Sequence, residues 1–419
     1  MPCQHDLGEN RMKTLIFFIK DVFLKRWLPL LGFLIVLFMA NLLLFTGVRS
    51  LISTYQGFRE NAFLLQDGIF ISNIDPEKNA QVDYDQIDLD QTQKVYDYLE
   101  DHTHYGIEMF GYITDLANQD EMEVLVNYVN QLGFQLRPLP IAEGESLNFE
   151  DGNPKGVLVG AGLAQDYPIG CHFGFDNPVT GQTEEVFTVG ILETNAYRSN
   201  LYALNSKNYF NYTIVYPVTP NFIQSSTKDL QVNALNDLIL TQSSREEADQ
   251  VKDLIKATTG LSYNFFSQAH NTAYFQDYYG QSIAFVMGLT LLAMILAVFL
   301  AVWINLVSIR LAIRDMTLHM LVGLTYHRLR LILYQFYGIL LAIVMLVLTL
   351  FTSYNRYTTI FRKDAIFASL GFLRLVDIDW AALGIVLLVN LLCLPVIVEV
   401  MMVKIKRKPI SLGVFEWHS

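Results

Sequence analysis

The sequence predicts a membrane protein that is α-helical in its four transmembrane segments and carries an α+β extracytoplasmic domain. Four apolar runs without Lys, Arg, Asp or Glu occupy residues 27–48, 283–309, 331–351 and 380–398. A hydrocarbon core of about 30 Å needs about 20 apolar residues in a helix, so each run is long enough to cross it. Residues 49–281, between the first two runs, form a polar and acidic stretch with the length of one or two ordinary domains.

The apolar runs divide the chain into nine predicted segments. In order they are a cytoplasmic segment with an interfacial helix (1–26), transmembrane helix 1 (27–48), the extracytoplasmic domain (49–281), transmembrane helix 2 (282–309), a cytoplasmic loop (310–330), transmembrane helix 3 (331–353), an extracytoplasmic loop (354–379), transmembrane helix 4 (380–403) and a cytoplasmic tail (404–419). The first run is too long for a signal-peptide core and no small-residue cleavage pattern follows it, so we expect a retained anchor. Met12 is an alternative to Met1 as the start of translation.

Basic residues give the orientation of the helices. One side of the membrane receives thirteen of them: Arg11, Lys13, Lys20, Lys25, Arg26, Arg310, Arg314, Arg328, Arg330, Lys404, Lys406, Arg407 and Lys408. The loop 354–379 holds four more: Arg356, Arg362, Lys363 and Arg374. Because short cytoplasmic flanks carry the excess of Lys and Arg, both termini are predicted to be cytoplasmic and the acidic domain to lie on the other side of the membrane.

The acidic charge is concentrated in the predicted outer domain. Residues 49–281 contain twelve Lys or Arg against 32 Asp or Glu, a formal charge of −20. Such a surface repels phosphate, which excludes nucleic acid as a partner and favours cationic ligands. Cys171 is the single cysteine of this segment, so its fold depends on an apolar core and not on an internal disulfide.

Short apolar strands alternate with amphipathic helices in the outer domain, which predicts an α+β or α/β fold. The predicted strands are 68–74, 107–113, 156–159, 185–193, 212–218 and 261–266, and the predicted helices are 90–100, 121–132 and 245–258. Ser244 and Glu247 form a capping box for the last helix, and Gly260 ends it. Residues 268–281 are predicted to run as a helical stalk into the second span.

The sequence contains no catalytic or phosphate-binding motif, so we predict no catalytic, cofactor or metal site. His102 and His104, beside Glu100 and Asp101, have donor atoms for a metal. A polar turn after a helix is the favoured interpretation, because two alternating histidines need a third ligand. The acidic run 83–90 lacks the Gly and Glu positions of a calcium loop and is interpreted as a solvated loop.

Four polar residues lie within or at the edge of the spans: Asn41, Asn305, Asn390 and Glu399. A polar side chain in lipid is costly unless it faces another helix or water. We interpret the asparagines as interhelical hydrogen-bonding groups in preference to transport sites. Glu399 lies close to Lys404 and is expected at the membrane interface.

Two passages resemble MacB-like and FtsX-like ABC transporter permeases. The first is GVLVGAGLAQDYPIGCHFGFD at residues 156–176, followed by VFTVGILET at 186–194, and it is similar to the outer domain of that superfamily. The second is residues 307–343, whose centre reads LAIRDMTLHMLVGLTYHRLR and resembles the Arg-rich turn between the second and third spans. The arrangement of one span, a domain and three spans also matches the superfamily.

The resemblance implies a homodimeric permease subunit that depends on a separate cytoplasmic ABC ATPase. The chain has no Walker A motif, so ATP would act only through that partner and no cofactor would bind directly. Residues 311–321 would form a short helix that docks on the ATPase, with Asp315 where the family has Glu. The docking residues implied in this way are Arg310, Arg314, Asp315, Leu318, Leu321, Gly323 and Arg328.

The function implied by the resemblance is export or extraction of an amphiphilic substrate such as a peptide, a drug or a lipoprotein. Movement of the outer domain would carry out this work, with membrane lipid and an extracytoplasmic adaptor as further partners. Two alternatives stay open. The chain could transmit movement to an extracellular cell-wall hydrolase, as FtsX-like proteins do, or it could be a ligand sensor without an ATPase.

Overall fold

The computed structural model describes residues 27–80, 82–152, 154–267, 280–321, 323–363 and 373–407, together with the single residues 16 and 20. The side chains of residues 304–319 are not among those described. The predicted stalk lies outside the described residues up to residue 279, and most of the predicted interfacial helix also lies outside them.

Ten α-helices and thirteen strands are described. The helices are α1 (Trp27–Glu60), α2 (Pro76–Asn79), α3 (Leu89–His102), α4 (Gln131–Leu136), α5 (Pro220–Ser225), α6 (Lys228–Asn233), α7 (Arg245–Thr259), α8 (Gly280–Leu321), α9 (Tyr326–Ile360) and α10 (Asp377–Arg407). The strands are β1 (Phe70–Ile74), β2 (His104–Gly106), β3 (Glu108–Thr114), β4 (Val124–Asn130), β5 (Ile141–Gly144), β6 (Lys155–Val159), β7 (His172–Asn177), β8 (Gln182–Leu192), β9 (Tyr197–Ser199), β10 (Lys207–Tyr209), β11 (Thr213–Val218), β12 (Ile239–Thr241) and β13 (Tyr263–Phe266).

The chain divides into two compact units. The membrane unit comprises Met1–Ser50, Ser282–Ser353 and Asp377–Ser419, and the α+β unit comprises Leu51–Gln281 and Tyr354–Val376. Helices α1, α8, α9 and α10 are long and apolar enough to cross a membrane. Four such helices together with a unit of mixed helices and sheets confirm the predicted fold class.

Helices α1, α9 and α10 share the main core of the membrane unit. Phe33 of α1 packs edge to face on Tyr337 of α9, with ring centroids 6.2 Å apart. Leu333 on α9 and Val398 and Met401 on α10 are fully buried in the same cluster. Large apolar side chains at helical spacing on three helices therefore account for the packing of this unit.

Over residues 283–300, helix α8 is less buried than the apolar windows of the other three long helices. It meets α1 where Gly47 faces Thr290: a Cβ at Gly47 would lie 3.0 Å from Thr290 Oγ1. Met294 of α8 is also buried, beside Ala40. Many other apolar side chains of α8 are exposed, including Phe285, Leu291 and Phe299, as expected for a surface that faces lipid tails.

Two main sheets and a hairpin build the α+β unit. The larger sheet has the order β3-β4-β11-β6-β8-β5, and β7 pairs with the other half of β8. The pairs β4–β11 and β6–β8 are parallel, and the other pairs of this sheet are antiparallel. The smaller sheet, β13-β1-β12-β2, is antiparallel throughout, and β9 and β10 form a separate hairpin.

Helices α3 and α7 pack against each other and contribute to the largest core cluster. Val95 and Leu99 of α3 and Val251 and Ile255 of α7 are fully buried. Ser244 and Glu247 make the predicted capping box, and Gly260 ends α7 in the left-handed conformation at φ +73. These two predictions are confirmed because both depend only on contacts between neighbouring residues.

The predicted helix at 121–132 is wrong. Most of this segment is strand β4, which pairs in parallel with β11 and antiparallel with β3, and only α4 follows as a helix. Six consecutive residues of β4 are buried. A central strand that is covered on both faces shows an unbroken apolar run instead of alternation, and the sequence pattern was misassigned for that reason.

The acidic run 83–90 supplies helix caps. Asp83 accepts a hydrogen bond from the backbone N–H of Asp85 at the start of a 3-10 turn, and Asp88 accepts one from the N–H of Asp90 at the start of α3. His102 stacks on Tyr98, with ring centroids 4.4 Å apart. Among the described residues no group of three His, Cys, Asp or Glu side chains could hold a metal ion.

Ser244→Ala tests the capping box. Removing the hydroxyl leaves the N–H of Glu247 without its acceptor, so we expect the variant to lose about 1 kcal/mol of unfolding free energy. The measurement is thermal melting of the detergent-purified chain followed by circular dichroism. Thr227→Ala is the matched control, because Thr227 is the N-cap of α6 and makes no side-chain capping hydrogen bond. Equal losses in the two variants would contradict the interpretation.

Candidate functional site

Helix α1 continues past its apolar run, and its last turns contact the β9–β10 hairpin. Ser53 Oγ donates a hydrogen bond to the carbonyl oxygen of Asn205 (3.0 Å). Lys207 Nζ donates one to Gln56 Oε1 (2.6 Å). We call this set of contacts between residues 53–61 and residues 197–207 the hairpin clamp. It joins the end of α1 to the hairpin by polar groups.

Glu60 makes two hydrogen bonds to the hairpin within the clamp. Its Oε2 accepts hydrogen bonds from both the backbone N–H (3.2 Å) and the hydroxyl (2.6 Å) of Ser199. A carboxylate in the last turn of a helix is disfavoured by the helix dipole. The two donors of Ser199 offset that cost, so Glu60 is placed for its contact with the hairpin and not for helix stability.

Gly57 lets the backbone of the hairpin approach α1 closely. A Cβ at this position would lie 2.2 Å from the carbonyl oxygen of Leu204 and 2.9 Å from its carbonyl carbon. Backbone atoms cannot yield as the end of a side chain can, so any larger residue separates the two elements. Glycine is therefore required at this point of the hairpin clamp.

Ser199 also connects the hairpin to a buried ion cluster. Its carbonyl oxygen accepts a hydrogen bond from Nη2 of Arg137, and Nη1 of Arg137 lies 3.0 Å from Oε2 of Glu108. The other carboxylate oxygen of Glu108 accepts hydrogen bonds from Nη1 of Arg198 and from Nδ2 of Asn127, the latter at 2.8 Å. One carboxylate thus holds β3, β4, β9 and the end of α4 together.

At Glu108 the pairing with two arginines outweighs the effect of burial on the pKa of the carboxyl. Burial favours its neutral form, yet Arg198 and Arg137 lower the pKa of this carboxyl below its ordinary value. The Arg198 guanidinium is itself buried and lies 5.7 Å from the ring centroids of both Phe134 and Phe210. An ionised cluster of this kind is destabilised strongly when one member is removed, since the remaining charge stays buried.

Asp237 is a partly buried carboxyl beside the hairpin turn. Its backbone has a positive φ of 61°, and the Tyr202 hydroxyl hydrogen-bonds to it and also to the carbonyl oxygen of Ser72. Burial raises the pKa of Asp237 to about 6, although Arg137 and the hydrogen bond from Tyr202 act in the opposite direction. The group therefore titrates near neutral pH between the hairpin and strand β1.

In the membrane unit, the structure brings Asn41 and Asn390 together. Asn390 Nδ2 donates to Asn41 Oδ1, and both side chains are buried between α1 and α10. Asn41 Nδ2 donates to the carbonyl oxygen of Leu37 (2.8 Å), and Asn390 Nδ2 lies 3.8 Å from the sulfur of Met345 on α9. The pair therefore links three helices at one level of the bundle.

Two ion pairs also lie within the membrane unit. Arg49 Nε lies 3.0 Å from Oδ1 of Asp379, whose side chain is fully buried. Glu399 Oε2 lies 3.0 Å from Nη2 of Arg330, and Glu399 Oε1 accepts a hydrogen bond from the Tyr334 hydroxyl at 3.2 Å. Glu399 thus bonds to α9 across the bundle, in addition to lying near Lys404 in the sequence.

The residues of the implied docking segment are partly described. The backbone is helical through residue 321 as the end of the 42-residue α8, whereas the resemblance implied a short separate helix. Gly323 forms the turn at φ +112, and Arg328 is exposed in the first turn of α9. The side chains of Asn305, and those of Arg310, Arg314, Asp315, Leu318 and Leu321, lie outside the described set.

Sequence reasoning missed the residues of the hairpin clamp and the ion cluster. Glu60, Glu108, Arg137 and Arg198 gave no motif, and Glu60 and Ser199 are 139 positions apart. The one available signal was weak: a charged residue opens the apolar strand β3, and another lies within β9. Such a pattern is also typical of ordinary surface strands, so it could not identify a buried cluster.

Gly57→Ala tests the close approach of α1 to the hairpin. Overlap with the Leu204 carbonyl should cost about 1–3 kcal/mol, so we expect a lower melting temperature of the detergent-purified chain. Gly32→Ala is the control on the same helix, because no described atom outside that stretch of the helix lies within 4 Å of its added Cβ. Alanine is the better helix former by about 1 kcal/mol, so a loss in both variants would contradict the steric explanation.

Asp237→Asn tests the raised pKa. In the folded chain this pKa of about 6 exceeds the ordinary 3.8, so the stability that the group contributes is present below about pH 4 and is lost as the pH rises through 6. Asparagine tolerates positive φ. The measurement is the unfolding free energy of Asp237→Asn and of the parent chain, by chemical denaturation at two pH values. We expect the difference, variant minus parent, to be about 2 kcal/mol larger at pH 7.5 than at pH 4.5. Asp253→Asn, at an exposed position on α7, should show no such difference.

No family model and no curated protein matches this sequence. Solved structures with some similarity include the extracellular domain of the noncanonic ABC-type transporter YknZ from Gram-positive bacteria, at 10% identity and TM-score 0.29, over 48% of this chain and 100% of that one. The periplasmic region of MacB from Actinobacillus actinomycetemcomitans gives 9% identity and TM-score 0.32, over 52% and 96%.

A domain described as part of a permease protein from Porphyromonas gingivalis gives 11% identity and TM-score 0.28, over 48% of this chain and 90% of that one. With identities and TM-scores this low, the three likenesses carry no inference about the family, the activity or the partners of the chain. The fold class rests on its own helices and sheets.

Proposed function

We propose that this chain is the permease subunit of a MacB/FtsX-type ABC transporter that works with a separate cytoplasmic ATPase. In this proposal ATP binding and hydrolysis by the partner move the membrane helices of a homodimer, and the α+β unit moves in response. The observation that carries the proposal is α1. It begins in a membrane-length apolar segment and ends in the α+β unit, where the hairpin clamp holds it.

A second entry of the chain into the α+β unit supports mechanical coupling. The segment that follows α9 is bound there by the Lys363–Glu121 ion pair and by a hydrogen bond from the backbone N–H of Glu123 to the carbonyl oxygen of Lys363 (3.3 Å). The N–H of Leu373 donates to Asn195 Oδ1 (3.1 Å). If α1 or the segment after α9 were displaced, the hydrogen bonds and the ion pair at these contacts would therefore transmit the movement to the α+β unit.

The proposed topology places both termini in the cytoplasm and the α+β unit outside a bacterial plasma membrane. The thirteen basic residues of the flanks support this orientation. The proposed work is export or extraction of an amphiphilic substrate such as a peptide, a drug or a lipoprotein, with an adaptor outside the membrane. The helical backbone of residues 311–321 supports docking on the ATPase at the end of α8.

The test is charge reversal at the docking segment. The chain is co-expressed and purified with candidate ABC ATPases of its own genome, and the amount of bound ATPase and the rate of ATP hydrolysis are measured in detergent. We expect Arg314→Glu to reduce both at least about tenfold, the effect of losing roughly 1.4 kcal/mol of binding free energy. Lys404→Glu is the matched control, an exposed basic residue near the end of α10.

The outcomes distinguish docking of the ATPase on residues 311–321 from a general attraction of the ATPase to basic residues. Loss of the ATPase in Arg314→Glu alone supports the proposal. Equal loss in both variants would show attraction to the basic face and not a docking helix, and retention in Arg314→Glu would overturn docking at this segment. If no ATPase binds the unaltered chain, the proposed function is wrong and a ligand sensor becomes the better interpretation.

A further inference from the structure

A cavity of about 460 Å³ lies in the α+β unit, where the two sheets meet. One wall is β2 of the smaller sheet with the end of α3. The other wall lies outside the carboxyl ends of the parallel strands β4 and β11, where α4 and α5 begin. Crevices at the carboxyl ends of adjacent parallel strands are a common place for ligands in α/β sheets, and the volume falls in the range of small-molecule sites.

The lining of this cavity combines one charge with polar and apolar groups. Among the described lining residues, Glu100 is the single acidic side chain and none is Lys or Arg. Gln131 and Gln135, one helical turn apart on α4, add amide groups, while Phe149 and Ile223 supply apolar surface. The cavity therefore carries one carboxylate and one imidazole, that of His104, among neutral polar and apolar groups, within a segment of formal charge −20.

A hydrogen bond from Tyr105 holds the Glu100 carboxylate. The hydroxyl of the buried Tyr105 donates to its Oε1, and the Tyr105 carbonyl oxygen accepts a hydrogen bond from Asn130 Nδ2 (2.9 Å). Asn130 Oδ1 in turn accepts from the N–H groups of Ile107 (3.0 Å) and Gly133 (2.9 Å). Glu100 is exposed, and among the described contacts its second carboxylate oxygen receives no hydrogen bond.

Two glycines hold the walls at a set distance. A Cβ at Gly133 would lie 2.6 Å from the carbonyl oxygen of Ile107, and a Cβ at Gly106 would lie 3.1 Å from the backbone nitrogen of Gly133. The backbones of β2 and α4, two elements that contribute to the lining, therefore lie in close contact. Because this contact is between main chains, it fixes the spacing of these two backbones.

We propose that the cavity binds a small organic cation with an aromatic or apolar body. Its ammonium group forms an ion pair with the carboxylate of Glu100. Its other polar atoms form hydrogen bonds with Gln131 and Gln135, and its apolar body packs against Phe149 and Ile223. A charge-assisted hydrogen bond to Glu100 supplies the selectivity for a cation, and the apolar wall excludes inorganic ions that must keep their water. This site is a property of the α+β unit and does not depend on an ATPase.

The experiment compares two probes of nearly the same shape, tryptamine and tryptophol, by isothermal titration calorimetry on the full chain in lipid nanodiscs at pH 7.5. Tryptamine carries an ammonium group where tryptophol carries a hydroxyl. Heats from nanodiscs without protein are subtracted. We expect saturable binding of tryptamine with a Kd of about 1 mM or tighter, and binding of tryptophol at least about tenfold weaker.

Glu100→Gln removes the charge and keeps an oxygen that accepts from Tyr105, so the variant should fold and melt like the parent chain. We expect it to bind tryptamine at least about tenfold more weakly. Asp101→Asn is the matched control, since it removes the same charge from the next residue, which is exposed and does not line the cavity. We expect this control to bind tryptamine with unchanged affinity.

Three results would overturn the site. They are equal binding of tryptamine and tryptophol, equal weakening by Glu100→Gln and Asp101→Asn, and no saturable binding of tryptamine below about 10 mM, which corresponds to less than about 3 kcal/mol. Equal weakening in the two variants would mean that the general negative field of the unit attracts the cation. Loss in Glu100→Gln alone, with discrimination between the two probes, supports the proposed site.

Discussion

The buried carboxylate of Glu108 is the interaction on which the organisation of the α+β unit depends. It forms ion pairs with Arg137 and Arg198, which come from elements far apart in the chain. Arg137 also donates a hydrogen bond to the carbonyl oxygen of Ser199. Ser199 then binds Glu60 at the end of α1. The edge of the larger sheet, the hairpin and the first long helix are thus connected through one continuous set of charged and polar groups.

The membrane unit uses polar pairs in the same way, at three levels of its bundle. Arg49–Asp379 and Asn41–Asn390 join α1 to α10, and Arg330–Glu399 joins α9 to α10. Apolar packing alone leaves helices free to rotate or slide in lipid, because lipid tails compete equally well for Leu and Phe. Hydrogen-bonded pairs have a direction, so they define which faces of the helices meet.

The sequence could predict what depends on neighbouring residues. The four long helices, the Ser244 capping box and the stop at Gly260 follow from composition and local spacing, and the structure contains them. The strand at Val124–Asn130 was misassigned because its burial depends on β11, nearly 90 positions away. The hairpin clamp, the Glu108 cluster and the cavity at Glu100 depend on contacts between distant segments, which no local pattern records.

The strengths of these contacts indicate where α1 can move. Each hydrogen bond of the hairpin clamp is worth about 1 kcal/mol, whereas removing a partner from a buried ion cluster costs about 3–5 kcal/mol. At Gly57 the helix and the hairpin are in close backbone contact, since a Cβ there would lie 2.2 Å from the Leu204 carbonyl oxygen. If α1 is displaced, we therefore expect the hydrogen bonds of the hairpin clamp to break before those of the Glu108 cluster.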